Sequence, residues 1–313
     1  MNENEKKRLM FQVAQMYYQN GLTQAEISKR LNLSKPKVSR LLAEARQNKI
    51  VEFILRFPYQ SDPRLEKSLI EQYGLRDARV LMATGLTTTE LQSGVGVLAA
   101  TILNEYLQDQ MTLAISRGRN VYSTVKAITP RPKLRLKIVQ LQGALGDRLD
   151  DGSDLVLFLS HLYTADIRLL NAPLILETPE AAKMLLSEPS IKSTLELAKR
   201  ADIALLGIGS VEPEVFSLYH HNLLSLEEVQ ELKNHGVVGD VAGCFIDQSG
   251  NEARVEFNHR LVRINLDDLR KISLRIGVGC GLARENAIRA VIGSNLVNIL
   301  VTDSAVATRL LER

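Results

Sequence analysis

The stretch GLTQAEISKRLNLSKPKVSRLLAEA, residues 21–45, governs how the first 57 residues are read. Gly21 ends a preceding helix in the manner of a C-cap glycine. That helix is read over residues 5–19, where Leu9, Val13, Met16 and Tyr17 recur on one apolar face. Thr23-Gln24-Ala25-Glu26 is a capping box, in which the threonine hydroxyl and the Glu26 carboxylate satisfy each other's free backbone donors. A short second helix follows, with Ala25, Ile27 and Leu31 available for packing, and Asn32-Leu33 makes a tight turn. Ser34 caps a third helix, with Pro36 in its first turn, where a missing N–H costs nothing. On that helix Val38, Leu41, Leu42 and Ala45 fall on one face and form a core stripe.

The opposite face carries Pro36, Ser39, Arg40, Ala43 and Gln47, with Lys37 at its edge. Small polar residues with one arginine suit a helix lying in a DNA major groove. Arg40 is expected to reach guanine O6/N7, Ser39 and Gln47 base edges, and Lys35 and Lys37 phosphates. Thr23, Gln24, Ser34 and Pro36 complete the expected contact set. Three helices joined by a three-residue turn match a helix-turn-helix, and the apolar run Ile50–Phe57 reads as the start of a wing. A three-helix protein-interaction module would share the same core stripe, so the charge has to separate the two.

Residues 1–56 hold eleven Lys/Arg against five Glu, a net of +6. The rest of the chain holds 28 basic and 31 acidic residues, a net of −3, so the formal total is only +3. Such asymmetry suits either a solvated basic face or a module facing a polyanion; with the capped helices beside it, double-stranded DNA is the expected partner. Pro58-Tyr59-Gln60-Ser61-Asp62-Pro63 reads as a linker, giving a DNA-binding domain at 1–57, a linker at 58–63 and an effector domain at 64–313.

From Arg64 onward, apolar β-rich runs alternate with helical patterns, which predicts a doubly wound, mostly parallel α/β sheet covered by helices. The expected strands are 79–82, 111–116, 137–141, 167–170, 203–207, 273–278 and 297–301. In such sheets ligands bind beyond the carboxyl ends of the strands, so the post-strand loops are the candidates. Ser116-Arg117-Gly118-Arg119-Asn120 opens a helix and offers free amides, a positive dipole end and two guanidiniums to an anion. Gln142-Gly143, Gly207-Ile208-Gly209 and Gly279-Cys280-Gly281, with Arg284 one turn on, are glycine loops that permit close backbone approach. Asp240, between apolar neighbours and followed by Asp247, could accept hydrogen bonds from sugar hydroxyls or cap a turn. Each loop taken alone also fits an ordinary βα turn.

The head, from Ala14 through Leu42, and these five segments in their order resemble the SorC/DeoR family of bacterial sugar-responsive transcriptional regulators. The closing Asn298–Asp303 (NILVTD) is similar too, so the likeness spans nearly all of the 313 residues. The resemblance implies an effector domain similar to glucosamine-6-phosphate deaminases and ribose-phosphate isomerases, which senses a sugar-phosphate. It places Ser116, Gly118 and Asn120 in the phosphate loop, Asp240 on sugar hydroxyls, and Arg284 where the family often has a phosphate-binding lysine. It also implies a homodimer or homotetramer. The chain departs from the pattern at Arg117, where the family has tryptophan, at Ala144, where it has a second glycine, and at Cys280, which splits a glycine pair.

The fold kinship raises an isomerase or deaminase as a rival reading. Acid–base chemistry on a sugar needs a carboxylate or histidine beside the reacting carbon, and none of the five histidines follows a strand with a paired acid. No catalytic residue, metal site or cofactor is expected. Two cysteines, Cys244 and Cys280, rule out a disulfide framework and a four-thiolate metal site. No signal segment or long apolar run is present, and a cytoplasmic location is expected.

Overall fold

The computed structural model describes residues 3–51, 59–130, 134–145 and 152–312. They divide into two compact units, Met1–Pro58 and Tyr59–Arg313.

In the first unit, α1 (Glu3–Ala14) runs into one π-helical turn, Gln15–Gln19, where the sequence predicts continuous α-helix. Gly21 then takes φ +68°, the left-handed conformation that glycine adopts without strain. The capping box forms: Thr23 Oγ1 accepts from the Glu26 N–H at 3.3 Å, and the Thr23 N–H donates to Glu26 Oε2 at 2.8 Å. It opens α2 (Gln24–Leu31), which Asn32 ends at φ +52°. Ser34 Oγ accepts from the Lys37 N–H and starts α3 (Lys35–Gln47). Val38, Leu41, Leu42 and Ala45 are all buried, against Met10, Val13 and Ile27. Ile50 and Val51 lie in a bend, and the remainder of the expected wing strand falls outside the described residues.

The second unit is built on nine strands among the described residues. They are β1 (Asp77–Leu81), β2 (Thr112–Ile115), β3 (Arg135–Gln140), β4 (Thr164–Arg168), β5 (Ile203–Gly207), β6 (Val237–Val241), β7 (Cys244–Asp247), β8 (Leu274–Val278) and β9 (Ile299–Asp303). Seven form one parallel sheet in the order β1-β9-β8-β5-β2-β3-β4. The inner strands β9, β8, β5 and β2 are buried on both faces, whereas the edge strand β4 is exposed at alternate residues. Ile203 and Leu205 of β5 pack toward the helices Thr88–Tyr106, Arg119–Ala127 and Gly152–Leu162, whereas Ala204 and Leu206 face Pro189–Ala198 and Glu285–Gly293.

From β2 the chain winds outward through β3 and β4, then returns to β5 on the other side of β2 and continues through β8 and β9. The strand order therefore reverses between β2 and β5, which opens a crevice at their carboxyl ends. The remaining two strands, β6 and β7, make an antiparallel hairpin. Ala242 (φ +48°) and Gly243 (φ +77°) form its two-residue loop.

Candidate functional site

The crevice between β2 and β5 is the meeting point of three post-strand loops and the hairpin. Gly118, at φ +122°, caps the helix Arg119–Ala127 directly after β2, so its first amides face the crevice. An isolated bridge, Ile208 to Val241, and a 2.8 Å hydrogen bond from the Gly209 N–H to Asp240 O bring the hairpin onto the end of β5. The result is a cavity of about 50 Å³ lined by Arg117, Gly118, Arg119, Asn120, Gly207–Ser210, Val215–Ser217, Asp240 and Arg284.

Its electrostatics are set by three guanidiniums around one carboxylate. Burial pushes the Asp240 carboxyl above the ordinary aspartate range, and the nearby charges of Arg117 and Arg284 oppose that shift. Arg284 is buried; one amine donates to Cys280 O at 2.9 Å, while its Nε finds no partner among the described residues. Arg117 donates to Ser217 Oγ and Arg119 to Val215 O, both at 3.1 Å, so the segment after β5 is tied across the mouth. An orphaned buried N–H beside a helix N-terminus and two further cations makes a seat for an anion. The Asp240 carboxylate among them can accept hydrogen bonds from hydroxyls.

The expected site residues sort into three groups. Arg117, Gly118, Arg119, Asn120, Gly209, Asp240 and Arg284 line the cavity. Ser116, Gly279, Cys280 and Gly281 stand behind it. Ser116 Oγ accepts from the Gly207 N–H at 2.9 Å and stitches β2 to β5. Cys280 Sγ contacts Asn120 Oδ1, and the Gly281 N–H donates to Asp303 Oδ2 at 2.7 Å. Gln142 and Gly143 do not line this cavity. Gln142 bridges Arg263 and the Gly143 N–H donates to Val262 O, so the chain turns away from the crevice as soon as β3 ends. Asp247 is also outside it; its carboxylate accepts from the Ser249 and Asn251 amides and caps a turn.

Val215, Phe216 and Ser217 were not foreseen. Phe216, fully buried, supplies an aromatic wall that the tryptophan-free loop Ser116–Asn120 lacks. None of the five histidines lines the cavity. Burial pushes both thiols, Cys244 and Cys280, up to about 12. No group of His, Cys, Asp and Glu among the described residues is arranged to hold a metal ion.

On the first unit, Ser34, Lys35, Pro36, Lys37, Ser39, Arg40 and Gln47 are all exposed, as is Thr23, while Gln24 is half-buried. The Thr23 hydroxyl donates to Glu26 Oε2 at 2.8 Å, so capping already occupies it. No described helix is long and apolar enough to cross a membrane.

The family model described as "Putative sugar-binding domain" matches residues 58–312. The chain is 30% identical over 308 residues to transcriptional regulator LsrR of Enterobacter sp. (strain 638), covering 97% of this chain and 93% of that protein. It is 27% identical over 312 residues to the deoxyribonucleoside regulator of Bacillus subtilis (strain 168), covering 98% of each. The crystal structure of the full-length sorbitol operon regulator SorC from Klebsiella pneumoniae superposes with a TM-score of 0.73 at 25% identity, over 98% of this chain and 100% of that one. These relatives are named as regulators, and the matched residues include the whole seven-stranded sheet and the crevice at its switch point. The chain belongs to the SorC/DeoR-type family of transcriptional regulators with a sugar-binding domain.

Proposed function

We propose that the first unit reads a palindromic operator of a carbohydrate-utilisation operon, and that a phosphorylated sugar in the β2/β5 crevice controls that binding. The observation that carries the ligand reading is Arg284: a buried guanidinium whose Nε lacks a partner among the described residues, in one cavity with Arg119, the N-terminus of Arg119–Ala127 and Asp240. A phosphate takes the guanidiniums and the helix N-terminus, and sugar hydroxyls take Asp240. A cavity of about 50 Å³ has room for a few waters. Ligand entry therefore requires the Val215–Ser217 segment to release Arg117 and Arg119.

Thermal shift with a panel of free and phosphorylated sugars, a phosphorylated deoxypentose among them, tests the ligand class. Phosphorylated members are expected to raise Tm. Arg284→Leu should weaken them by roughly ten- to a hundredfold, the worth of one or two charge-assisted hydrogen bonds. A Tm rise with free polyols alone overturns the phosphate reading.

For the head, a homodimer would set two α3 helices about 34 Å apart, or a multiple of that spacing, on the operator. Arg40→Ala is expected to cost roughly 1–3 kcal/mol on the operator and little on random DNA. Lys35→Ala should weaken both and lower the salt slope by about one. Gel-shift titrations at several salt concentrations measure both; equal loss from Arg40→Ala on the two DNAs overturns base reading.

A further inference from the structure

A second cavity, of about 550 Å³, lies between the helices Pro179–Ser187 and Pro189–Ala198 and the segment from Glu252 to Asp268. It shares no residue with the crevice at the switch point. Its volume is within the roughly 300–1,000 Å³ of small-molecule sites. The floor is apolar, with Leu186, Leu195, Leu261 and Ile264.

The charges around that floor do not cancel. Each lining carboxylate already has a cation: Glu196 pairs with Lys199, Glu252 with Arg263 at 2.6 Å, and Asp268 with Lys271 at 2.7 Å. Lys183 and Lys192 line the same cavity and form no ion pair with a described residue. Arg263 is a further cation of the wall, as is Lys199. Its side chain is 6% exposed, and its Nε has no acceptor among the described residues. A guanidinium N–H left bare in a nearly buried wall is costly, and an acceptor in the cavity beside it removes that cost.

We infer that this cavity is a second binding site, for a small organic anion whose apolar body lies on Leu195 and Ile264 and whose phosphate or carboxylate group meets Lys183 and Lys192. The apolar floor favours an occupant with an apolar body, unlike the sugar-phosphate proposed for the crevice.

Titration of the full chain with the aromatic sulfonate 8-anilinonaphthalene-1-sulfonate, followed by fluorescence, tests this. One saturable site per chain is expected, weakened by salt. Lys183→Gln/Lys192→Gln should loosen it roughly tenfold, as the loss of two exposed ion pairs at the upper end of their usual worth implies. Arg284→Leu should leave it unchanged. The assignment is overturned if the double glutamine variant binds as the wild type does, if Arg284→Leu abolishes binding, or if no saturable site is found.

Discussion

Gly209→Ala is expected to abolish the ligand-induced Tm rise while leaving the second unit folded. A Cβ at that position would stand 1.8 Å from Asp240 Oδ1 and 2.8 Å from Asp240 Cγ. The backbone cannot back away. The Gly209 N–H is bonded to Asp240 O, and a Cβ on Gly239 would meet Gly209 O at 2.3 Å, so the two strand ends are already in contact. The overlap is relieved by swinging the Asp240 carboxylate out of the crevice, away from Arg117 and Arg284. Overpacking of this kind costs roughly 1–3 kcal/mol, which lowers Tm by several degrees in a unit of this size. The functional loss is expected to exceed the stability loss, because the displaced group is the one proposed to accept the ligand's hydroxyls. Gly209→Ala/Asp240→Ala should recover Tm and remain unresponsive to ligand. A single Gly209→Ala variant with the full ligand-induced shift would place the ligand elsewhere.

Signals that act over three or four residues were legible in the sequence. The Thr23–Glu26 box, the Ser34 cap and the left-handed Asn32 are local events, and each appears where the residue types demand it. The parallel sheet was legible for a different reason: strands buried on both faces tend to be continuously apolar, and β5, Ile-Ala-Leu-Leu-Gly, reads that way. Boundaries drift where burial precedes pairing. Val297 reads as the start of the last strand, yet it is buried under Gly277, and pairing begins only at Ile299. Loops that open a helix, Ser116–Asn120 and Gly281–Arg284, could be assigned to the crevice because their place follows from strand order alone. Gln142 could not be excluded that way: it follows a strand too, but the Val262 pairing that turns it aside comes from 120 residues downstream. Val215–Ser217 were invisible for the same reason, since Arg117 and Arg119 draw that segment in from nearly a hundred residues away.

Ile27→Ala should remove operator binding without touching the ligand response. Ile27 is fully buried on α2 and packs among Val13, Val38, Leu41 and Leu42, so it holds the base of α3 to the rest of the head. Truncating a buried isoleucine to alanine costs roughly 2–5 kcal/mol, because the cavity left behind closes only in part. A head of this length carries on the order of 3–7 kcal/mol in total. The variant therefore spends a large share of its time with α3 undocked, and a recognition helix that is not held pays its ordering cost on every binding event. The second unit has its own cores on either side of the sheet, built from none of these residues. Calorimetry should show its transition, and the ligand-induced rise in it, unchanged. Ile27→Val, which leaves most of the side chain in place, should cost roughly 0.5–1.5 kcal/mol and keep operator binding within a few-fold. Wild-type affinity in Ile27→Ala would mean that α3 keeps its geometry without α2, and the head would not be acting as a packed three-helix reader.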